Sequence, residues 1–377
     1  MVRNKTKKKY LGILAIHNVD NYGAILQSIA LFKYLSKYTK VKIIDYRNPV
    51  LSSHLRLIRF NGLKSFRSCF KDLFRLNSRF KLLRKFKNFI KNNLEFTNSV
   101  DIDGFHSSFF LENLHSILVS SDQVWNPDIT HSDKKLRGDY FLDIKIKNNL
   151  NKFSYASSFG SRKFNKTEVN DINFYLSKFN SISIREKEAF KYINKRNKKK
   201  TYHVADPVFL QNKKFWLNFI KNRKPLKRKK FILVYSVARS KLIHEAVINL
   251  NKNLNFEVIT IDPNLKANTK YDYKISDAGP EDFLYYYKNC SFVVTDSFHG
   301  ICFSLIFEKK FLCVVSNKIY SNRLTDLLSY LNCENNIYDN SSKIKKISCY
   351  KLSSKSKKKL NKFILKSKNY LRDALKN

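Results

Sequence analysis

Two successive runs of alternating apolar strands and amphipathic helices constrain the fold of this chain more than any other feature. The first run opens with an apolar segment at residues 11–16, helically spaced apolar residues at 24–38 and a second apolar segment at 41–46. The same alternation returns between residues 231 and 261. Short connections of this kind favour parallel strands joined by crossover helices. We therefore predict an α/β protein of two Rossmann-like, doubly wound domains facing a cleft.

The length of the chain calls for more than one hydrophobic core. At 377 residues it exceeds the roughly 250–300 residues at which single cores stop growing. We predict a first domain at residues 1–222, a second at 223–340, and a basic tail and helix at 341–377 that can pack back on the first domain. Further strands are predicted at residues 116–120, 153–157, 181–184, 203–204, 291–295 and 311–315.

A basic, aromatic-rich stretch at residues 51–96 predicts one or two amphipathic helices within the first domain. It alternates Phe and Leu with Lys and Arg, as in FRLNSRFKLLRKFKNF. Such helices either pack an apolar stripe on the domain and leave their lysines in water, or present a basic surface to anionic lipid. Both interpretations stay open at the level of sequence.

The net charge limits the classes of partner. A formal charge of +43 is compatible with nucleic acid, an anionic membrane surface or an anionic substrate. The basic residues are spread along the whole chain, without a recognisable nucleic-acid-binding module, so no specific nucleic-acid partner is predicted. Peripheral contact with an anionic membrane remains an interpretation of the basic helices.

Hydropathy and cysteine spacing bear on the cellular location of the protein and on whether it binds a metal. No apolar run reaches the roughly 18 residues of a membrane-spanning helix, and the N-terminal apolar segment is too short for a secretory signal. The six cysteines form no CxxC pair, so we assign them to cores and predict no metal site. We expect a cytoplasmic protein, with peripheral binding at the inner face of the membrane as the alternative location.

The segment VVTDSFHGICFSLIF, residues 293–307, carries the sharpest chemical signal. A buried strand ends before Ser297, and His299 and Gly300 then open an apolar helix. Ligands of doubly wound sheets bind at the carboxyl ends of strands, and helix N-termini favour anions. His299 is thus a candidate proton donor beside an anionic substrate, or else a histidine that packs at the helix start.

Polar residues follow two strands of the first half. Asn21, Tyr22 and Gly23 come between the first strand and its helix, where they can bind sugar or phosphate or simply cap the helix. After the strand at 116–120 come Asp122, Gln123 and Trp125, a carboxylate, an amide and an indole that together suit a sugar ring. The competing interpretation is a buried loop around Trp125.

One arginine stands at a strand end in the segment SISIREKEAF. Arg185 can clamp a phosphate or carboxylate with both of its terminal nitrogens, or form a local ion pair. The nearby segment VADPVF, with Asp206, indicates a strand-ending turn, and a structural role is as plausible there as a functional one.

Seven segments, taken in order, resemble the polysaccharide pyruvyl transferase family. They occur in order within a span of about residues 13–331, and they are NYGAILQ, KIIDYR, SSDQVWN, FSYASSFG, SISIREKEA, ADPVFL and TDSFHGICFSLIFEKKF. The resemblance implies a GT-B-like fold and an enzyme of cell-envelope, exopolysaccharide or capsule biosynthesis. It implies phosphoenolpyruvate as the donor, a glycan or lipid-linked saccharide as the acceptor, and neither a metal nor a nucleotide cofactor.

The resemblance also assigns roles to residues. It implies that His299 is the general acid and that Arg185 binds the donor phosphate or carboxylate. Lys318 is a looser match to a basic donor-binding residue, and Arg323 is its rival. The first domain is implied to be the acceptor side and the second the donor side.

This chain departs from the family pattern at one position, where members tend to have an arginine two residues before the histidine and Ser297 stands here. Two other functions therefore stay open. The first is a GT-B glycosyltransferase with a nucleotide-sugar donor, and the second is a non-catalytic relative that binds a glycan or an anion.

Overall fold

The computed structural model describes residues 9–55, 57, 73–100, 113–144, 150–196, 201–224, 226, 230–264, 266–267, 269–316, 322–340 and 351–376. The chain separates into two compact units. Unit 1 comprises Met1–Ser53, Ile90–Leu210 and Phe363–Asn377, and unit 2 comprises His54–Phe89 and Gln211–Lys362. Each unit contains its own parallel sheet.

Unit 1 contains a five-stranded parallel sheet in the order β3-β2-β1-β4-β5, extended beyond β5 by the parallel pair β6–β7. Its strands are β1 (Tyr10–Leu14), β2 (Val41–Tyr46), β3 (Phe96–Val100), β4 (Leu114–Val119), β5 (Asn151–Ser154), β6 (Ile182–Ile184) and β7 (Thr201–His203). Its helices are α1 (Tyr22–Leu35), α2 (Pro49–Ser52), α4 (Pro127–Thr130), α5 (Lys166–Ser177) and α6 (Lys187–Arg196), with a 3₁₀ turn at Pro207–Leu210.

Unit 2 contains a six-stranded parallel sheet in the order β10-β9-β8-β11-β12-β13. Its strands are β8 (Phe231–Tyr235), β9 (Glu257–Ile261), β10 (Tyr273–Ile275), β11 (Phe292–Thr295), β12 (Lys310–Val314) and β13 (Ile337–Tyr338). Its helices are α7 (Lys213–Asn218), α8 (Lys241–Asn251), α9 (Pro280–Asn289), α10 (Phe298–Ile306) and α11 (Asn322–Tyr330). The long helices α3 (Leu76–Asn93) and α12 (Ser354–Lys376) each have residues in both units.

The strands form where the sequence is apolar on both faces, because helices cover both faces of a parallel sheet. All five residues of β1 and all five of β8 are buried. The predicted β1, α1 and β2 at residues 11–16, 24–38 and 41–46 agree with the observed elements to within a few residues. Both sheets have the strand order of a Rossmann-type domain, with the chain reversing direction across the sheet beside its first strand.

The compact units differ from the predicted division at residues 222 and 340. Most of α3, which the sequence placed in the first domain, belongs to unit 2. There Lys85 pairs with Asp277 and Asp282 at 3.2 and 3.0 Å, and the ring of Phe89 lies 5.1 Å from that of Phe219. These contacts place the apolar stripe of this helix within unit 2.

The end of α12 packs in unit 1. The Tyr370 hydroxyl donates to the carbonyl of Ser154 at 2.7 Å, and the Ala205 amide donates to the Ser367 hydroxyl at 2.8 Å. Tyr370 and Ser367 are buried, so this turn of the helix is part of the core of unit 1. None of the helices described here is long and apolar enough to cross a membrane.

Candidate active site

The carboxyl ends of β1 and β4 meet in unit 1 at the point where the strand order reverses. The Ser120 amide donates to the carbonyl of Leu14 at 2.8 Å, which joins the two strand ends. The loops that follow, residues 15–21 and 120–126, contain four of the predicted substrate-binding residues, namely Asn21, Asp122, Gln123 and Trp125. In doubly wound sheets this crevice is where ligands bind.

Asn21 acts as the N-cap of α1, which is the structural role that the sequence left open. Its side-chain oxygen accepts from the Ala24 amide at 3.1 Å, and the residue is exposed. Tyr22 and Gly23 are buried in the first turn of the helix. Of the three, Asn21 is the one placed to contact a ligand from solvent.

His17 of the same loop pairs with Asp45 of β2, a contact that sequence reasoning missed. His17 contacts the carbonyl of Ala15 through Nδ1 and the Asp45 carboxylate through Nε2, each at 3.0 Å. The hydrogen bond from His17, followed by that from Arg47, lowers the pKa of Asp45 to about 2. The pair joins the loop after β1 to the carboxyl end of β2, and its signal in the sequence was a histidine three residues after β1.

Asp122 and Gln123 form a tight turn after β4. Asp122 has φ of 83°, a left-handed conformation that is uncommon for residues other than glycine and is frequent at functional sites. Its carboxylate accepts from the Gln123 amide at 2.8 Å, and the Gln123 side chain accepts from Asn126 at 3.0 Å. Both side chains are partly exposed, so they line the crevice.

Trp125 does not fit the sugar-stacking role that the sequence offered for it. The residue is 1% exposed, its ring stacks on Phe141 at 5.2 Å, and its indole N–H donates to the carbonyl of Tyr140 at 2.9 Å. The ring is therefore enclosed by aromatic side chains in the core, and its polar edge is already hydrogen-bonded. The buried-loop interpretation is the one that the structure shows.

Arg185 lies at the end of β6 and is enclosed by carboxylates. Its guanidinium reaches Asp206 at 3.1 Å and Glu186 at 3.2 Å, and the Arg185 and Asp206 side chains are 3% and 0% exposed. Burial alone would lower the pKa of Arg185, but the charges of Glu186 and Asp206 outweigh it and raise the pKa. The local ion pair that the sequence offered as an alternative is thus formed.

His203, at the end of β7, lies next to Arg185 and makes the stability of unit 1 depend on pH. Its Nε2 lies 3.0 Å from the carbonyl of Arg185, and burial lowers its pKa to about 4. A histidine that is neutral in the fold must take up a proton on unfolding at acid pH, so its stabilising contribution is present above the unfolded pKa and is lost as the pH falls towards 4.

We therefore expect the unfolding free energy of unit 1 to fall by about 2 kcal/mol between pH 7 and pH 5 through His203. The chain has two tryptophans, one per unit, so a Trp216→Phe background leaves Trp125 as the reporter of unit 1 during urea unfolding. The His203→Phe variant should flatten the pH dependence in this window. An unchanged slope in that variant would assign the acid sensitivity to other groups.

In unit 2 the strand order reverses between β8 and β11. Asp296, directly after β11, accepts from the Ser236 hydroxyl and from the Val237 amide, both at 2.6 Å. This carboxylate holds the loop after β8 against the loop after β11. The geometry is that of a Rossmann-type ligand crevice, and α10 begins at its edge.

Ser297, His299 and Gly300 occupy the first turn of α10. The Ser297 hydroxyl accepts from the Gly300 amide at 3.3 Å and is the N-cap of the helix. His299 is 9% exposed and lies beside the amides of this first turn. The serine that replaces an expected arginine therefore has a capping role of its own.

Gly300 allows α10 to approach β11 closely. A Cβ at this position would collide with the hydroxyl of Thr295 and would lie 3.0 Å from that of Tyr287. We expect Gly300→Ala to reduce the unfolding free energy of unit 2 by about 1–3 kcal/mol. This loss is measured by urea unfolding, followed by the fluorescence of Trp216 in a Trp125→Phe background. The control is Ser329→Ala, a substitution at an exposed position of the same unit. Equal stability of the two variants would contradict the close approach.

Two further cations, Lys318 and Arg323, were predicted to bind the donor. Lys318 lies outside the described residues, and Arg323 is half-buried in the first turn of α11. Sequence reasoning missed Arg239, which follows β8 and pairs with Asp262 at 2.5 Å while its side chain stays 32% exposed. Its signal was a basic residue between a predicted strand and helix.

The described residues were also compared with the requirements of a metal site. No group of three or more His, Cys, Asp or Glu side chains there is arranged to hold a metal ion. The predicted site residues instead fall into two sets, one at the carboxyl edge of each sheet. Unit 1 contains polar and carboxylate groups at its edge, and unit 2 contains a histidine at a helix N-terminus.

Comparison with solved structures confirms the predicted GT-B-like fold of two Rossmann-like domains. The UDP-GlcNAc 2-epimerase from Methanocaldococcus jannaschii is 11% identical, with a TM-score of 0.52 over 97% of this chain and 99% of that one. The S. aureus MnaA–UDP structure is 14% identical, with a TM-score of 0.49 over 88% of this chain and 83% of that one. Identities this low concern the fold alone.

Comparison with protein families gives a more specific result. Among curated proteins, none matches the sequence significantly. The sequence pattern of the polysaccharide pyruvyl transferases matches residues 21–318, which is most of the chain and includes both sets of site residues up to Lys318. The chain is a member of the polysaccharide pyruvyl transferase family.

Proposed function

We propose that this protein transfers pyruvate from phosphoenolpyruvate to two hydroxyls of one sugar, in a cell-surface glycan or its lipid-linked precursor. The observation that carries the proposal is His299 in the first turn of α10, at the crevice of the unit 2 sheet. Membership of the transferase family supports the reaction class. The reaction requires a proton donor next to an anionic donor substrate, and this is the chemistry that such a position provides.

The reaction balances without a cofactor. Protonation of the methylene carbon of phosphoenolpyruvate makes the adjacent carbon electrophilic, and one sugar hydroxyl adds to it. The second hydroxyl displaces the phosphate, so the products are a pyruvate ketal and inorganic phosphate. His299 donates the proton in the first step, and the departing phosphate is stabilised by positive groups around it.

The donor has two anionic groups that must be held on unit 2. Amides at the start of α10 favour one of them. Arg239, whose guanidinium is one-third exposed at the neighbouring strand end, is a candidate for the other. Lys318 and Arg323 remain candidates for the same task, and the donor-binding role implied for Arg185 stays a prediction beside its observed ion pairs.

The acceptor is assigned to the unit 1 crevice. Asn21, Asp122 and Gln123 are the predicted polar residues there whose side chains are at least partly exposed. Carboxylate and amide groups bond sugar hydroxyls directionally. We therefore propose that they orient the two hydroxyls that form the ketal.

A donor-binding experiment tests this assignment. Phosphoenolpyruvate that binds the native protein must raise its apparent stability by mass action. Thermal unfolding is measured with phosphoenolpyruvate, uridine diphosphate and inorganic phosphate, on wild-type protein and on Arg239→Gln. A shift specific to phosphoenolpyruvate and reduced in the variant supports the donor site, whereas a shift with uridine diphosphate alone favours a nucleotide-sugar glycosyltransferase.

We also propose cytoplasmic action with peripheral binding to the anionic inner face of a membrane. Three apolar side chains at and before the start of α3 are strongly exposed: Leu73 by 56%, Phe74 by 70% and Phe80 by 54%. The exposed face of the helix also contains Lys81 and Lys87. Apolar side chains flanked by lysines suit an anionic lipid interface.

Replacement of Phe74 and Phe80 by serine should therefore reduce binding to vesicles that contain anionic lipid by about tenfold or more. The measurement is co-sedimentation with phosphatidylglycerol vesicles and with phosphatidylcholine vesicles. The control replaces Phe174, which is 58% exposed on α5 of unit 1. Equal binding of the two serine variants would remove this surface from the membrane proposal.

A further inference from the structure

A cavity in unit 2 lies at the amino ends of the strands, away from the crevice that contains His299. It has a volume of about 350 Å³ and is lined by Ser291 before β11, by Lys310 at the start of β12, and by Phe307 and Glu308 after α10. Phe307 is eight residues beyond His299, which along an α-helix is about 12 Å. The cavity is therefore separate from the proposed active site.

The charge around this cavity is strongly unbalanced. Its lining contains four lysines and a single carboxylate, and they are Lys213, Lys309, Lys310, Lys351 and Glu308. Glu308 is already shared, since it accepts from Lys213 at 3.2 Å and from Lys357 at 2.6 Å. Among the residues that the structure describes, Lys310 and Lys351 have no carboxylate partner.

The lysines here differ from the many that lie on convex helix faces. Lys309 is half-buried and donates to the carbonyls of Lys288 and Cys290 at 2.5 and 2.9 Å, which fixes its ammonium group in the wall. Burial is the main cause that lowers the pKa of Lys309. Cys290 opposes it as the next largest effect, and the charges of Lys213 and Lys351 add to the lowering. Cations that converge on a concave space repel one another, and an anion in that space relieves the repulsion.

We propose that this cavity is an anion site that binds a small phosphorylated molecule. Its volume lies within the roughly 300–1,000 Å³ of small-molecule sites. Lys310 and Lys351, both exposed, would donate charged hydrogen bonds to the phosphate. Lys309 would add a fixed positive charge in the cavity wall. Phe307 would contact an apolar part of the ligand.

Inorganic pyrophosphate is the probe, titrated calorimetrically into the full-length protein. We expect Lys310→Gln/Lys351→Gln to weaken binding by roughly tenfold or more. The matched control is Lys252→Gln/Lys270→Gln, which removes the same charge from exposed positions elsewhere in unit 2 and should change the affinity by less than about twofold.

Three outcomes would overturn the assignment. Equal loss in both double variants would mean that net charge alone attracts the probe. Wild-type affinity in Lys310→Gln/Lys351→Gln would place the pyrophosphate at the carboxyl edge of the sheet instead. Binding to phosphatidic acid vesicles without binding to pyrophosphate would make the ligand a lipid headgroup. The titration requires no turnover, so its result is independent of the proposed reaction.

Discussion

Replacing His299 by glutamine is expected to lower phosphoenolpyruvate-dependent turnover by about 10²–10⁴-fold, the usual contribution of a positioned general acid. Glutamine retains a hydrogen-bonding side chain of similar length, yet it cannot deliver a proton to the methylene carbon. His299 occupies the first turn of α10, where substrate anions are favoured. The loss should therefore appear in kcat, with a smaller change in KM.

The control for this variant is His115→Gln, which makes the same chemical change at the amino end of β4 in unit 1. It should leave turnover within about twofold of wild type, since His115 lies at the amino end of its strand, and the proposed crevice of that sheet is at the carboxyl ends. Circular dichroism and urea unfolding establish that both variants are folded. Near-wild-type turnover in a well-folded His299→Gln would remove this residue from the mechanism.

Replacing Arg185 by methionine is expected to reduce the unfolding free energy of unit 1 by about 3–5 kcal/mol. The change leaves the Asp206 and Glu186 side chains, which are 0% and 5% exposed, without their shared cation. An uncompensated buried carboxylate is strongly destabilising. Total stabilities of about 5–15 kcal/mol make this a large fraction.

The measurement is urea unfolding of the Trp216→Phe background, in which Trp125 reports unit 1 alone. Arg47→Met is the control, because Arg47 pairs with Asp45 while its side chain is 60% exposed, and such pairs contribute less than about 1 kcal/mol. A folded Arg185→Met with unchanged stability but weakened phosphoenolpyruvate binding would favour the donor-clamp role over the structural one.

The secondary structure was predictable because β1, α1 and β2 follow one another with short connections and clear periodicity. The boundaries of the two compact units were harder to predict than the secondary structure. The apolar stripe of α3 is visible in the sequence, but nothing local indicates that Lys85 meets Asp277 nearly two hundred residues later. Packing partners that are distant along the chain leave no periodic signal.

The candidate site shows the same limit. Arg185 and Asp206 were each recognised at the end of a strand, yet their pairing depends on β6 and β7 being parallel neighbours. Trp125 has the residue type of a sugar platform, and only the surrounding rings of Phe141 and Phe159 show that it is enclosed. His299 was placed correctly at the start of α10 because strand, cap and helix are contiguous in sequence.

The most direct test of the account is a donor assay on the full-length protein. The protein is incubated with carbon-labelled phosphoenolpyruvate and a panel of saccharide acceptors, and labelled ketal and inorganic phosphate are quantified together. We predict that both products form in equal amounts, that the ketal is acid-labile, and that His299→Gln forms neither. Glycoside formation from a uridine diphosphate sugar, with no product from phosphoenolpyruvate, would contradict the account.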